Sequence, residues 1–159
     1  KNHRFAIKLV ASCDREIERM YFVGDGPLRA NLEEYSRELG VSEKINFEGY
    51  QADIEHYLYE ADFGLLPSHW EGFGLVVIEK ISSGLPTLVS KVSGVTDLVD
   101  GLAASKALST DDLDGWIREI KYLSKPESKI SDDLKSDSTK ISMMDVGKMV
   151  NDYENWYVS

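Results

Sequence analysis

A chain of 159 residues suits one domain with a single sizeable core, and its 42% hydrophobic and 29% charged residues are those of an ordinary soluble globular protein. The formal net charge of −10 argues against nonspecific binding to nucleic acid or to an anionic membrane surface, but not against an anion held by backbone amides and one or two lysines. Cys13 is the only cysteine, which excludes an internal disulfide and makes a reducing compartment the expected setting; no apolar run reaches membrane-spanning length and no signal-peptide pattern appears.

Apolar runs alternate with amphipathic stretches along the chain. Phe5 to Leu9 has helical spacing and continues toward Cys13. Met20 to Val23 reads as a short buried strand closed by the Gly24-Asp25-Gly26-Pro27 turn. Leu28, Leu32, Tyr35 and Leu39 form a helical stripe that stops at Gly40. Ile45 to Phe47 is a strand ending at Gly49, Ile54 to Tyr59 a short helix, and Phe63 to Leu66 a strand that meets Pro67. Val76 to Ile81 is helical and ends at Gly84; Pro86 to Ser90 is the next strand. After Gly101 the pattern changes. Leu113 to Leu123 reads as an amphipathic helix whose start is capped by Asp111, Asp112 and Asp114. Ser124 to Lys140 reads as a polar loop or weakly packed helix. Met143 to Trp156 is expected to be a terminal helix whose aromatics dock on this domain's own sheet. This rhythm predicts an α/β fold, a Rossmann-like parallel sheet with helices on both faces. Ligands bind such sheets beyond the carboxyl ends of the strands, here Gly24, Gly49, Pro67 and Ser90.

The stretch from Pro67 to Glu79 (PSHWEGFGLVVIE) carries the strongest chemical signal. A strand ends at Pro67 and a helix begins near Gly74, with a loop between them whose glycines admit a ligand close to the backbone. The helix start offers unpaired N–H groups and a positive dipole end, a seat for a phosphate. A helical wheel puts Gly74, Val77, Ile78 and Ile81 on the packed face and Glu79 away from it, beside Leu75 and Ser82. Glu71 in the loop and Glu79 two turns along the helix then border one small site, and carboxylates are good acceptors for paired hydroxyls. On spacing alone, a solvated helix carboxylate and a dipole-stabilising Glu71 account for the pair equally well.

The run EGFGLVVIE, preceded by Pro67-Ser68 and followed by Gly84-Leu85-Pro86, resembles the E-x7-E signature of retaining GT-B glycosyltransferases of the large family four. The resemblance extends from Lys1 to about Gly101 through VGDGPLRANLEEYSRELGVSEKINFEGY and ADFGLLPS. VSGVTDLVDG is similar to the family's Gly-Gly-x-x-Glu segment, with Ser93 for the first glycine and Asp97 for the glutamate. The resemblance implies the carboxy-terminal, donor-binding half of a GT-B fold that transfers a hexosyl group with retention. It implies that Glu71 contacts hydroxyls of the transferred sugar, and that the backbone of Gly72, Phe73, Gly74 and Leu75 holds that sugar and the diphosphate. Glu79 would bind the ribose diol, the backbone around Gly49 and Tyr50 the base, and Lys1, at a helix start, the diphosphate. No metal and no cofactor beyond the nucleotide-sugar substrate are implied. The acceptor, a glycan or a lipid-linked sugar, would belong to an amino-terminal half outside residues 1–159. Any membrane contact would lie there too, and the whole enzyme would be cytoplasmic or at the inner membrane face. The chain begins with Lys1 rather than methionine, so it is expected to start inside a longer protein, with a first strand absent and a sheet edge left uncovered or differently paired.

Other chemistries fit less well. Arg29 stands where the third glycine of a dinucleotide fingerprint would be. His3, His56, His69 and Cys13 lack metal-ligand spacing, and Ser68 lacks a nucleophile elbow. His56 reads as a surface residue, whereas His69 adjoins the cleft as a lining residue or a loop histidine with a local hydrogen bond. The competing functions are a GT-B nucleotide-sugar epimerase and a non-catalytic nucleotide-binding scaffold; the intact pair Glu71 and Glu79 argues against the second.

Overall fold

The computed structural model describes residues 1–72, 74–125, 133 and 137. Phe73 lies outside the described residues, as do the expected terminal helix over Met143 to Trp156 and most of the polar stretch before it. The first helix, α1 (His3–Ser12), buries Ala6, Ile7, Leu9 and Val10, the stripe that its spacing predicts. Cys13, which follows, is fully buried, and burial together with nearby Glu16 pushes its thiol up to about 11. Strand β1 (Met20–Val23) leads through the Gly24-Pro27 turn into α2 (Arg29–Glu38). Gly40, at φ 71°, ends α2, and the Val41 N–H returns to the Ser36 carbonyl at 2.9 Å. The predicted α2 stripe holds only in its middle. Leu32 is buried, but Leu28 and Leu39 are exposed, and Ser36 takes a core position with its hydroxyl on the Glu33 carbonyl.

After one 3₁₀ turn (Ser42–Lys44) come β2 (Ile45–Gly49), α3 (Glu55–Glu60), β3 (Gly64–Leu66), α4 (Leu75–Ser82) and β4 (Thr87–Ser90). Then follow α5 (Thr96–Val99), β5 (Lys106–Leu108) and α6 (Leu113–Leu123). Strand pairing is parallel throughout, yet the strands form two sheets rather than the single one expected: β1-β2 and β3-β4-β5. Among the described residues β1 pairs only with β2 and β3 only with β4, so each keeps a free edge. Strand β4 is buried on both faces. Leu88 joins a core with α1, α6 and side chains of β1 and β2, whereas Val89 joins a core with α4 and α5. Helices therefore cover both faces of the three-stranded sheet, as predicted. Asp112 caps α6 by accepting the Gly115 N–H at 2.9 Å. Asp137, in the stretch expected to be weakly packed, is buried, and its carboxylate accepts the Ala103 and Ala104 N–H groups at 2.6 and 2.8 Å.

Gly64 leaves room that the Lys80 side chain fills. A Cβ there would lie 2.8 Å from Lys80 Cδ and 3.1 Å from Lys80 Nζ, because the Lys80 stem runs from α4 over β3. Burial pushes the Lys80 pKa below the ordinary lysine value, although neighbouring Glu79 opposes this. The desolvation cost is present at neutral pH. It is relieved as pH rises through the depressed folded value toward the unfolded value of about 10.4. Lys80→Met keeps the stem and removes the charge, so it is expected to stabilise the fold by about 1 kcal/mol at pH 7. Urea melts should show that gain, and the variant should lose the wild type's rise in stability at alkaline pH.

Candidate functional site

The carboxyl ends of β1 and β2 are tied by the Gly24 N–H donating to the Gly49 carbonyl at 2.7 Å. This bond sets the Gly24-Pro27 turn beside Gly49 and the exposed Tyr50. Arg29 opens α2 here: its Nε donates to Glu33 at 2.9 Å, and its guanidinium carbon is 5.9 Å from the Phe47 ring centre. A Cβ on Gly49 would be 3.7 Å from Arg29 Nη1, so this cation borders the turn as well. Sequence reasoning used Arg29 only to exclude a dinucleotide fingerprint; its position just after the turn was the available signal.

The carboxyl ends of β3 and β4 carry the second half of the site. Pro67 and Ser68 are buried where β3 ends, and Glu71 follows in the loop. Glu71 Oε1 accepts from Ser68 Oγ at 2.6 Å and from Lys1 Nζ at 2.5 Å. Burial pushes the Glu71 carboxyl up, but these two hydrogen bonds and the Lys1 charge outweigh it and hold the group below the usual carboxylate range. Lys1 arrives from the start of α1, where Asn2 adopts the left-handed conformation (φ 56°) and its carbonyl accepts the Phe5 N–H. The lysine expected at a helix start is therefore at the site, but its partner here is the carboxylate.

Helix α4 begins at Leu75 behind Gly74, which is at φ 73° and provides no side-chain cap. No side chain caps the first amides, and of these the Val77 N–H bonds back to the Gly74 carbonyl at 2.7 Å. Gly74 is also sterically required, since a Cβ would lie 2.5 Å from Val95 Cγ1 and 3.2 Å from Leu98 Cδ1. Leu75, Glu79 and Ser82 share the exposed face, as the helical wheel predicts. Glu79 makes no side-chain hydrogen bond or ion pair among the described residues. His69 and Trp70 are exposed next to Glu71, and His56 is a surface residue, as expected.

The segment after β4 closes this loop. Gly94, at φ 87°, lies directly against the backbone of Gly72 and Glu71, where a Cβ would run into the Gly72 carbonyl. Ser93 and Asp97, the two departures from the Gly-Gly-x-x-Glu pattern, are exposed, whereas Val95, Leu98 and Val99 are buried against α4. Among the described residues no cluster of His, Cys, Asp and Glu could hold a metal ion, and no helix is long and apolar enough to cross a membrane.

A family model described as "Glycosyl transferases group 1" matches residues 1–125. The UDP-Gal:alpha-D-GlcNAc-diphosphoundecaprenol alpha-1,3-galactosyltransferase of Escherichia coli is 32% identical over 99 residues, which cover 62% of this chain and 26% of that protein. The GDP-mannose-dependent alpha-(1-6)-phosphatidylinositol dimannoside mannosyltransferase of Mycobacterium tuberculosis is 36% identical over 95 residues, covering 57% and 24%. This chain therefore spans about a quarter of the length of those two relatives. The crystal structure of Anabaena Alr3699/HepE in complex with UDP-glucose superposes with a TM-score of 0.83 at 21% identity, covering 99% of this chain and 45% of that one. That likeness is one of fold: the α/β architecture is the one found in GT-B glycosyltransferases.

Proposed function

The chain belongs to the glycosyl transferases group 1 family, and on that premise we propose that it is the donor-binding half of a retaining, metal-independent GT-B glycosyltransferase. The observation that carries the reading is the uncapped start of α4 at the carboxyl end of a parallel sheet, with Glu71 before it and Glu79 along it. In this reading the amides of Gly72 to Leu75 hold the transferred sugar and the diphosphate. Glu71 accepts from the sugar's hydroxyls, and Glu79, with both oxygens free of described partners, takes the ribose diol. The base lies against Gly49 and Tyr50, where backbone groups and an exposed ring are available.

Departure of the nucleoside diphosphate builds negative charge, which the α4 dipole and Lys1 would neutralise, so donor binding draws the Lys1 ammonium off Glu71. The names of the relatives support a lipid-linked or glycan acceptor. In this reading an amino-terminal half outside these 159 residues holds it, and the whole enzyme works in the cytoplasm or at the inner membrane face. By this reading the present chain binds donor and transfers little.

Calorimetric titration with UDP-, GDP- and ADP-sugars tests the proposal and identifies the base. One nucleotide series is expected to bind, and its 2′-deoxy form to bind about 5- to 30-fold more weakly, because the Glu79 carboxylate loses a charge-assisted hydrogen bond. Glu79→Gln should weaken the ribonucleotide by about 1–2 kcal/mol. A 2′-deoxy ligand that binds as well as the ribonucleotide would remove Glu79 from the diol role.

A further inference from the structure

The geometry points to Ser68 as a positioning residue that, locked by Ser90, presents the Glu71 carboxylate to the sugar of the bound donor. This inference rests on the donor-binding reading of the site and assigns work to two serines outside the E-x7-E signature. Both are sealed from solvent, with Ser68 0% and Ser90 1% exposed. They stand at the carboxyl ends of neighbouring strands, since β3 and β4 pair in register up to Leu66 and Val89.

Their hydrogen bonds run in one direction. The Ser90 hydroxyl donates to the Ser68 carbonyl, and the Ser68 hydroxyl donates to Glu71 Oε1 at 2.6 Å. A serine has a single hydroxyl proton, so each donor is used up within the latch and neither is left to give a ligand. The latch therefore orients rather than binds. It commits Oε1 to Ser68 and Lys1 and leaves Oε2 without a described hydrogen bond, with lone pairs to offer a sugar hydroxyl. Gly94 fixes the same segment from the other side by packing on the Glu71 and Gly72 backbone. The carboxylate is thus held by its side chain and its main chain before any ligand arrives, which reduces the reorganisation needed on binding.

The charged group that bonds Glu71 is the Lys1 ammonium, and Ser68 adds a neutral donor to it. Removing that donor while the Lys1 ammonium stays in place isolates the contribution of Ser68. The test is a carbon-detected NMR titration of the Glu71 side-chain carboxyl in the unliganded chain, for the wild type, Ser68→Ala and Ser90→Ala. Ser68→Ala is expected to move the Glu71 midpoint upward, and Ser90→Ala to move it less in the same direction; the second variant decides the matter if the first does not fold.

The companion measurement is the affinity of the bound nucleotide-sugar relative to its bare nucleoside diphosphate. Ser68→Ala should lower that ratio about five- to tenfold while the nucleoside diphosphate binds as before. A Glu71 midpoint unmoved by the substitution overturns the inference, as does equal weakening of both ligands, which a general loss of structure would give. A wild-type chain that binds no nucleotide at all removes the donor reading instead; the titration needs no ligand and still decides whether Ser68 sets the carboxylate.

Discussion

Glu71→Ala is expected to lower turnover of the complete enzyme by about 10²-fold or more, while bare nucleoside diphosphate binds as tightly as before or more tightly. The proposed partner of Glu71 is the transferred sugar, and a bare nucleoside diphosphate has no sugar to lose. An interaction made mainly at the reacting centre lowers the rate rather than the ground-state affinity. The structure adds a second reason. Lys1 is engaged with Glu71 in the empty site. Alanine frees that ammonium for the diphosphate without the cost of breaking an ion pair. The substitution also leaves the buried Ser68 hydroxyl without its acceptor, a cost of about 1–2 kcal/mol in stability, so folding must be checked at the assay temperature. Steady-state kinetics beside nucleotide titrations decide the matter. Loss of nucleoside diphosphate affinity equal to the loss of turnover would show that Glu71 holds the nucleotide and not the sugar.

Gly94→Ala is expected to destabilise the chain by about 3 kcal/mol or more and to abolish nucleotide-sugar binding. Two independent costs meet at this position. The backbone is at φ 87°, a conformation that an L side chain rarely adopts, and the new methyl group would run into the Gly72 carbonyl, with the Glu71 carbonyl oxygen only 3.0 Å away. Neither obstacle is the end of a flexible side chain, so the loop from Val92 to Val95 or the loop of Glu71 and Gly72 must move. The second movement displaces Glu71, and the first removes the backbone packing that holds it. Gly84→Ala is the matched control: Gly84 is also left-handed, at φ 75°, but nothing lies within 4 Å of its absent Cβ, so only the strain remains. Urea melts of the two variants should differ by the steric part. Equal melts would mean that Gly94 is needed for its angle alone.

Most of the elements and the local chemistry were legible in the residues alone. Apolar spacing of 3.6 placed α1, α4 and α6, and the Gly40 and Gly84 signals ended α2 and α4, because helix periodicity and left-handed caps are written in a few consecutive residues. The loop-to-helix run of PSHWEGFGLVVIE was legible for the same reason, including Glu79 on the exposed face. Short or weakly patterned pieces were missed: α5 has four residues, and β5 has three with no clear alternation. The contacts between distant positions came from the packed fold. Lys1 meets Glu71 across 70 residues, Ser90 locks Ser68 across 22, Gly94 packs on Gly72, and Lys80 occupies the space that Gly64 leaves. The strands divided into two sheets where repeating β and α runs suggested one. Periodicity reports what each segment buries, but not which segment buries it. That choice is made when parallel strands pair and their loops gather at one end, where side chains far apart in the chain compete for the same hydrogen bonds and the same volume.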